Sequence, residues 1–389
     1  MRIALATESY YPNIDGGAIM EHRLALAMAG KGHEVFIFAP STRGYKSYVE
    51  EDGSTKIFRQ RSFPLIVYKE YSFSPFPLSD IELRMREIKP DVLHVHNPYG
   101  IGISAVAAAR GLDIPIIGTN HLMPENFFNV IRWTRPLYRL LKEVGWKVLV
   151  SFYNLCDIVT SPTETAVKLL VNHGLRKKAL AISNGVDVKR FNPSNDGSHL
   201  KRMLGIPSSA KVVLYTGRLS GEKKVDVLIR AAKIVLEKVE DVYFVIGGRG
   251  REMGYLISLS RRLGIYDRVR FPGYIPDPDL PSLYAMADIF AMPSDAELQS
   301  IVTLEAMASG LPVVAADAWA LPEIVHHGEN GFLFAPNNSE EMARWILELL
   351  KDPSLRRRMG IKGREIAERH EFSKVVDEFE KAYNMLIAR

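Results

Sequence analysis

Ile289-Phe290-Ala291-Met292-Pro293-Ser294-Asp295-Ala296-Glu297-Leu298-Gln299-Ser300-Ile301-Val302-Thr303-Leu304-Glu305-Ala306-Met307-Ala308-Ser309-Gly310-Leu311-Pro312-Val313-Val314-Ala315 reads as strand, loop, helix and strand in succession. Ile289–Met292 and Val313–Ala315 are unbroken apolar runs, as expected of parallel strands buried on both faces. Between them Ile301, Leu304, Ala308 and Leu311 recur at helical spacing, and Gly310 ends the helix. A strand–helix–strand unit of this kind predicts a doubly wound α/β layer.

The same alternation extends outward. Val212–Thr216, Tyr243–Gly247, Val269–Pro272 and Phe332–Phe334 complete a set of strands in the second half. A separate set occupies the first half: Ile3–Thr7, Val35–Ala39, Val92–His96, Ile114–Thr119, Ile158–Ser161 and Ala179–Ser183. Helical stretches intervene, such as Ala18–Lys31 before Gly32. The expected architecture is two doubly wound domains, 1–185 and 186–371, whose strand-end loops face a central cleft. The polar stretch Asn192–Pro207 reads as a linker or a loop beside it. The amphipathic segment Phe372–Arg389 carries Val375, Val376, Phe379, Tyr383 and Leu386 on one face.

Length and composition agree with this division. The chain has 389 residues, 47% hydrophobic and 24% charged, a soluble two-domain profile. A net charge of +5 does not call for a nucleic-acid partner. The single cysteine, Cys156, excludes an internal disulfide and a cysteine-rich metal site, and suits a reducing cytoplasm. The opening residues run straight into a strand without a signal-peptide pattern, and no run of about 18 apolar residues is long enough to span a membrane. The expected location is cytoplasmic.

Three loops carry chemistry. Glu297 precedes the helix and Glu305 lies within it, eight residues on, about 12 Å of helical rise. That exceeds the roughly 5 Å between the carboxylates of a retaining glycosidase, so the pair is no nucleophile–acid couple. It suits gripping two ends of an extended ligand; two solvated glutamates on an amphipathic helix are the alternative. The helix start at Gln299, Ser300, Ile301 and Val302 offers N–H groups to an anion. Gly217-Arg218-Leu219-Ser220-Gly221-Glu222-Lys223-Lys224 follows a strand, and its Arg218 and Lys223 can neutralise a diphosphate; a solvated turn is the other reading. Asp15-Gly16-Gly17-Ala18 and Gly247-Gly248-Arg249-Gly250 allow close backbone approach to a phosphate, or serve as structural turns. No G-x-G-x-x-G follows the first strand, which argues against a dinucleotide dehydrogenase. A non-catalytic sugar-nucleotide sensor remains the rival outside the enzymes.

Taken in order, these segments resemble the retaining glycosyltransferases of the two-domain GT-B fold that carry an E-x7-E motif. The resemblance covers nearly the whole chain. It rests on Gly16-Gly17, on Gly217-Arg218-Leu219-Ser220 with Lys223, on Glu297 and Glu305 followed by Ala306-Met307-Ala308-Ser309-Gly310-Leu311-Pro312, on Asn184-Gly185-Val186-Asp187, and on Asn330-Gly331-Phe332-Leu333. It implies transfer of a hexose from a UDP- or GDP-linked sugar to a hydroxyl, with no cofactor and no metal. Arg218 and Lys223 would bind the donor diphosphate, Glu305 the ribose, and Glu297 the sugar hydroxyls. His121 would lie beside the reacting sugar and Ile275 against the base; Gly16, Gly17, Gly217, Gln299, Ser300 and Ile301 would complete the donor site. The segment 372–389 would cross back to the first domain. Many members carry Gly-Phe-Gly after the first glutamate, and Leu298-Gln299-Ser300 departs from it, so sugar specificity does not carry over.

Thr7-Glu8-Ser9-Tyr10-Tyr11-Pro12-Asn13-Ile14-Asp15-Gly16 and His96-Asn97-Pro98-Tyr99-Gly100-Ile101-Gly102 look most like diacylglycerol glucosyltransferases, which implies a lipid acceptor; a soluble or polysaccharide acceptor is the alternative. The stretch 127–153 combines Phe127, Phe128, Trp133, Tyr138, Trp146, Phe152 and Tyr153 with Arg132, Arg135, Arg139, Lys142 and Lys147. That composition suits a helix on an anionic membrane, at the inner face, and equally suits core helices with solvated basic faces.

Overall fold

The computed structural model describes residues 1–13, 16–64, 72–125 and 135–388; Ile14 and Asp15, and Phe127, Phe128, Arg132 and Trp133 of the basic–aromatic stretch, lie outside them. Two compact units result. One holds 1–13, 16–64, 72–124, 135–184 and 373–388, and the other holds 125 and 185–372.

In the first unit, ten strands are described. β1 (Arg2–Ala6), β2 (Glu34–Pro40), β3 (Tyr48–Asp52), β4 (Thr55–Gln60), β7 (Val92–Val95), β8 (Ile116–Thr119), β9 (Ile158–Ser161) and β10 (Lys178–Ala181) form one sheet in the order β10-β9-β8-β7-β1-β2-β4-β3, while β5 (Phe63–Pro64) and β6 (Ser72–Phe73) make a short separate pair. All neighbours in the large sheet are parallel except β3 on β4. Central strands are buried end to end, and Ile3, Ala4, Val92, Leu93, Ile117 and Ile158 are fully inaccessible. Such side chains each contribute roughly 1.5–3 kcal/mol by leaving water. The last helix, Phe372–Ile387, buries Val375, Val376, Phe379, Tyr383 and Leu386. From Ser373 onward it belongs to the first unit. The Tyr383 hydroxyl meets His94 Nδ1 at 2.8 Å, and Lys31 Nζ meets Asp377 at 2.5 Å.

In the second unit, β11 (Lys211–Thr216), β12 (Val242–Gly247), β13 (Val269–Gly273), β14 (Ile289–Met292), β15 (Val313–Ala316) and β16 (Gly331–Phe334) form a parallel sheet ordered β13-β12-β11-β14-β15-β16. In order of appearance that is 3-2-1-4-5-6, the dinucleotide-binding arrangement, whose ligand crevice opens where the order reverses, between β11 and β14. The first sheet reverses between β1 and β7. Both units therefore mark one end of one strand pair as the place for a site.

The stretch Asn192–Pro207, read as a linker or a loop beside it, lies wholly within the second unit and contains the helix Ser198–Met203. Gly197 packs so closely that a Cβ there would lie 2.2 Å from the Met286 backbone nitrogen.

Candidate active site

The loops after β11 and β14 flank the reversal point of the second sheet. Gly217 leaves β11 with φ 145°. Its N–H donates to Gly247 O at 3.1 Å, and Leu219 N–H donates to Arg249 O at 2.8 Å. A Cβ on Gly248 would lie 1.9 Å from Gly217 O, and one on Gly250 2.0 Å from Leu219 O. Gly248 and Gly250 are thus required by backbone lying on backbone, so this loop serves as a structural turn.

Past the 3₁₀ turn Gly221–Lys223, Lys223 Nζ donates to Glu297 Oε1 at 2.6 Å, with side chains 18% and 9% exposed. Arg218 Nη2 lies 3.5 Å from Glu222 Oε1, with Arg218 half exposed and Glu222 buried. Ser220 Oγ also donates to that carboxylate. Lys224 Nζ reaches Asp295 Oδ2 at 3.2 Å, and burial holds the Asp295 carboxyl above its ordinary range despite that lysine. The Asp295 N–H donates to Glu222 O at 3.2 Å. Two acid–base pairs, Lys223–Glu297 and Lys224–Asp295, thereby stitch the two loops, and Arg218–Glu222 closes a third within the first loop, so a charge here has its counter-charge built in.

Glu297 lies in the loop, and the helix runs Ile301–Ala308, as its apolar spacing predicts. Ser300 caps it: Ser300 Oγ accepts from Thr303 N–H at 3.3 Å and from Thr303 Oγ1 at 2.8 Å. Gln299 and Ser300 are buried and Ile301 is half-buried. Within the helix Glu305 is buried, and its Oε2 accepts from the Tyr284 hydroxyl at 2.7 Å. Burial, and then the Glu305 charge, hold that tyrosine well above its ordinary range. At the other end of the helix Arg364 donates to Ala308 O, a cation at the negative end of the dipole. Ile275 is partly buried near the end of β12, 3.6 Å from where a Cβ on Gly247 would be.

Among the expected residues, then, Lys223 and Glu297 touch, and Gly217 and Arg218 share their loop. Ser300 and Ile301 open the helix that contains Glu305. Gly16, Gly17 and His121 belong to the first unit. Gly16 and Gly17 begin the helix Gly16–Gly30, at the carboxyl end of β1 as the glycine pair predicts. His121 follows β8, half-buried, its ring parallel to that of His96 with centroids 5.6 Å apart. The rings of His96 and His94, both fully buried, lie tilted at 33° with centroids 4.0 Å apart. His94 takes a hydrogen bond network with Tyr383 at 2.8 Å and Thr119 at 2.6 Å, and burial pushes it down to about 3. Glu8, past β1, accepts Ile101 N–H at 2.7 Å and Ser74 N–H at 3.4 Å, and burial pushes it up to about 8.

Sequence reasoning missed Asp295 and Tyr284 as partners, because each comes from a different element than the group it holds, and it missed that Glu222, four residues from Arg218, turns back onto it. It also missed Glu21 and His96; the available signal was a His-x-His at a strand end, His94-Val95-His96.

Two family models match consecutive parts of the chain: Glycosyltransferase Family 4 over residues 14–190 and Glycosyl transferases group 1 over residues 198–366. An alpha-monoglucosyldiacylglycerol synthase of Streptococcus pneumoniae is 29% identical over 90% of this chain and 78% of its own length. A GDP-mannose-dependent alpha-mannosyltransferase of Corynebacterium glutamicum is 28% identical over 90% and 81%. The sucrose-phosphate synthase structure from Thermosynechococcus elongatus superposes with a TM-score of 0.83 at 21% identity, over 100% of this chain and 99% of that one.

Proposed function

Since the chain belongs to the group 1 glycosyltransferases, enzymes of the two-domain GT-B fold, we propose that it moves a hexose from a UDP- or GDP-linked sugar to a lipid hydroxyl with retained anomeric configuration. The observation carrying this reading is the contact of Lys223 with Glu297 beside the start of helix Ile301–Ala308, at the reversal point of the second sheet.

The chemistry follows from those groups. The bond between the anomeric carbon and the β-phosphate oxygen breaks, and charge accumulates on the leaving diphosphate. Lys223, Arg218 and the N–H groups near Ser300 and Ile301 are fixed in advance, so they stabilise that charge without reorganising. Glu297 accepts hydrogen bonds from the sugar hydroxyls and Glu305 from the ribose, while Gly217 lets the chain approach the phosphates and Ile275 and Gln299 border the nucleotide. The acceptor oxygen attacks on the face the phosphate leaves, and its proton passes to a phosphate oxygen. The diphosphate is balanced by cationic side chains, so no metal is required, and turnover persists in EDTA; loss in EDTA restored by Mg²⁺ would overturn that point.

The lipid acceptor is supported by the named relative from Streptococcus pneumoniae and by helix Arg135–Tyr153. Leu140, Val144 and Val148 recur every fourth residue and stand 60%, 47% and 60% exposed. Arg139, Lys142 and Lys147 flank them, whereas Trp146, Val150 and Tyr153 are buried on the other face. Exposed leucine and valine edged by cations suits the surface of an anionic bilayer at the cytoplasmic side. No helix among the described residues is long and apolar enough to cross it. The test incubates the protein with UDP- and GDP-hexoses and anionic vesicles containing diacylglycerol. An α-linked hexose in the lipid fraction is expected; a β-linked product, or sugar released only to water, overturns the reading.

A further inference from the structure

At the reversal point of the first sheet, Glu21, His96 and His121 converge from three elements: the helix Gly16–Gly30, the residue just past β7, and the loop just past β8. One ligand atom from each lies within 4.8 Å of the others. His96 Nδ1 is 3.4 Å from His121 Nε2 and 3.5 Å from Glu21 Oε1. Those separations are long for strong hydrogen bonds. They match the roughly 3.3 Å between neighbouring ligand atoms around a tetrahedral ion with bonds of about 2.0–2.1 Å.

We propose that Glu21, His96 and His121 form a site for one zinc-class divalent ion. The donor set is two imidazoles and a carboxylate, which suits Zn²⁺ and leaves one position for water or a ligand oxygen. Both histidine donors must be neutral to ligate. Glu21 and His96 are sealed in the interior, where an ion offsets the desolvation of a carboxylate. His121 is half-buried and supplies the way in. The glycines Gly16 and Gly17 begin the helix that carries Glu21, so the site sits beside the loop assigned to the donor. An ion held there withdraws His121 from the sugar; this consequence rests on the transferase reading, whereas metal binding itself does not.

The test titrates the tag-free, chelator-treated full chain with Co²⁺. Tetrahedral absorption bands saturating at one equivalent and bleached by Zn²⁺ are expected. Glu21→Gln, which keeps the buried shape, and His121→Ala should each weaken binding at least about tenfold, with unchanged circular dichroism in the absence of metal. If either variant fails to fold, the other decides. No saturable binding, or binding untouched in a folded variant, overturns the site. Zn²⁺ should also inhibit sugar transfer reversibly in the wild type. Co²⁺ binding without such inhibition would leave the metal site standing and count against the placement of His121 at the sugar.

Discussion

The two sheets mark their sites at the same topological position and fill them with opposite electrostatics. Around β11 and β14 three acids are matched by bases, Glu297 by Lys223, Glu222 by Arg218 and Asp295 by Lys224, while Glu305 accepts from the Tyr284 hydroxyl. Around β1 and β7 the ionisable groups are stripped of charge by burial, His94 and His96 held below their ordinary range and Glu8 above it. The lesson is that a parallel sheet fixes where chemistry happens but not its sign. One end balances its charges in pairs; around the other, burial holds Glu8, His94 and His96 toward their neutral forms.

The largest effect should come from breaking a pair. Lys223→Ala removes the cation that pairs with the buried Glu297 carboxylate; initial rates of sugar transfer should fall about 10²–10³-fold, and the thermal midpoint should drop as well, because that carboxylate loses its counter-charge. A rate within threefold of wild type would dissolve the contrast between the two ends. Next, Gly248→Ala forces a Cβ to within 1.9 Å of Gly217 O at φ 124°. The loss should be about 3 kcal/mol or more, read from urea unfolding, because the second unit's loops have no slack.

A pH series sharpens the comparison from the other side. His94 drops from 6.5 to about 3 on folding, so its stabilising contribution is lost as pH falls from 6.5 towards 3. Glu8 rises from 4.5 to about 8, so its contribution is lost as pH climbs from 4.5 towards 8. The two oppose each other between those limits. Their combined effect should rise to near pH 4.5, level off, and decline above 6.5, at up to about 1.4 kcal/mol per pH unit for each proton. In Glu8→Gln the declining limb should vanish from a plot of urea midpoint against pH; its survival would assign the decline elsewhere. Smallest in stability is Val144→Glu, expected within about 0.5 kcal/mol because the position is exposed. Co-sedimentation with anionic vesicles should nevertheless weaken several-fold, and unchanged sedimentation would remove helix Arg135–Tyr153 from the lipid reading.

Much of this was legible in the chain. The buried strands announced themselves as apolar runs: Ile158–Ser161 and Ile289–Met292 begin and end where the spacing predicts. The helix after Ser300 followed from its period. β3 and β4 did not, because the edge strand β3 alternates exposed and half-buried residues and the buried β4 still carries Lys56, Arg59 and Gln60, so neither forms an apolar run. The paired charges were invisible for a different reason. Lys223 and Glu297 are 74 positions apart, and only the strand order brings β11 beside β14. The histidine cluster was hidden likewise, since His96 and His121 become neighbours only through the pairing of β7 with β8.

The helix Phe372–Ile387 bears on synthesis. Its Tyr383 is the partner of His94, and Lys31 and His33 bind Asp377 and Glu380. A ribosome delivers those partners almost 300 codons after His94 has emerged, by which time all of 185–372 is already outside the exit tunnel. The amino-terminal unit must therefore wait, incompletely sealed, while the later unit is free to finish first, and a premature stop codon near position 372 would injure the beginning of the protein rather than its end.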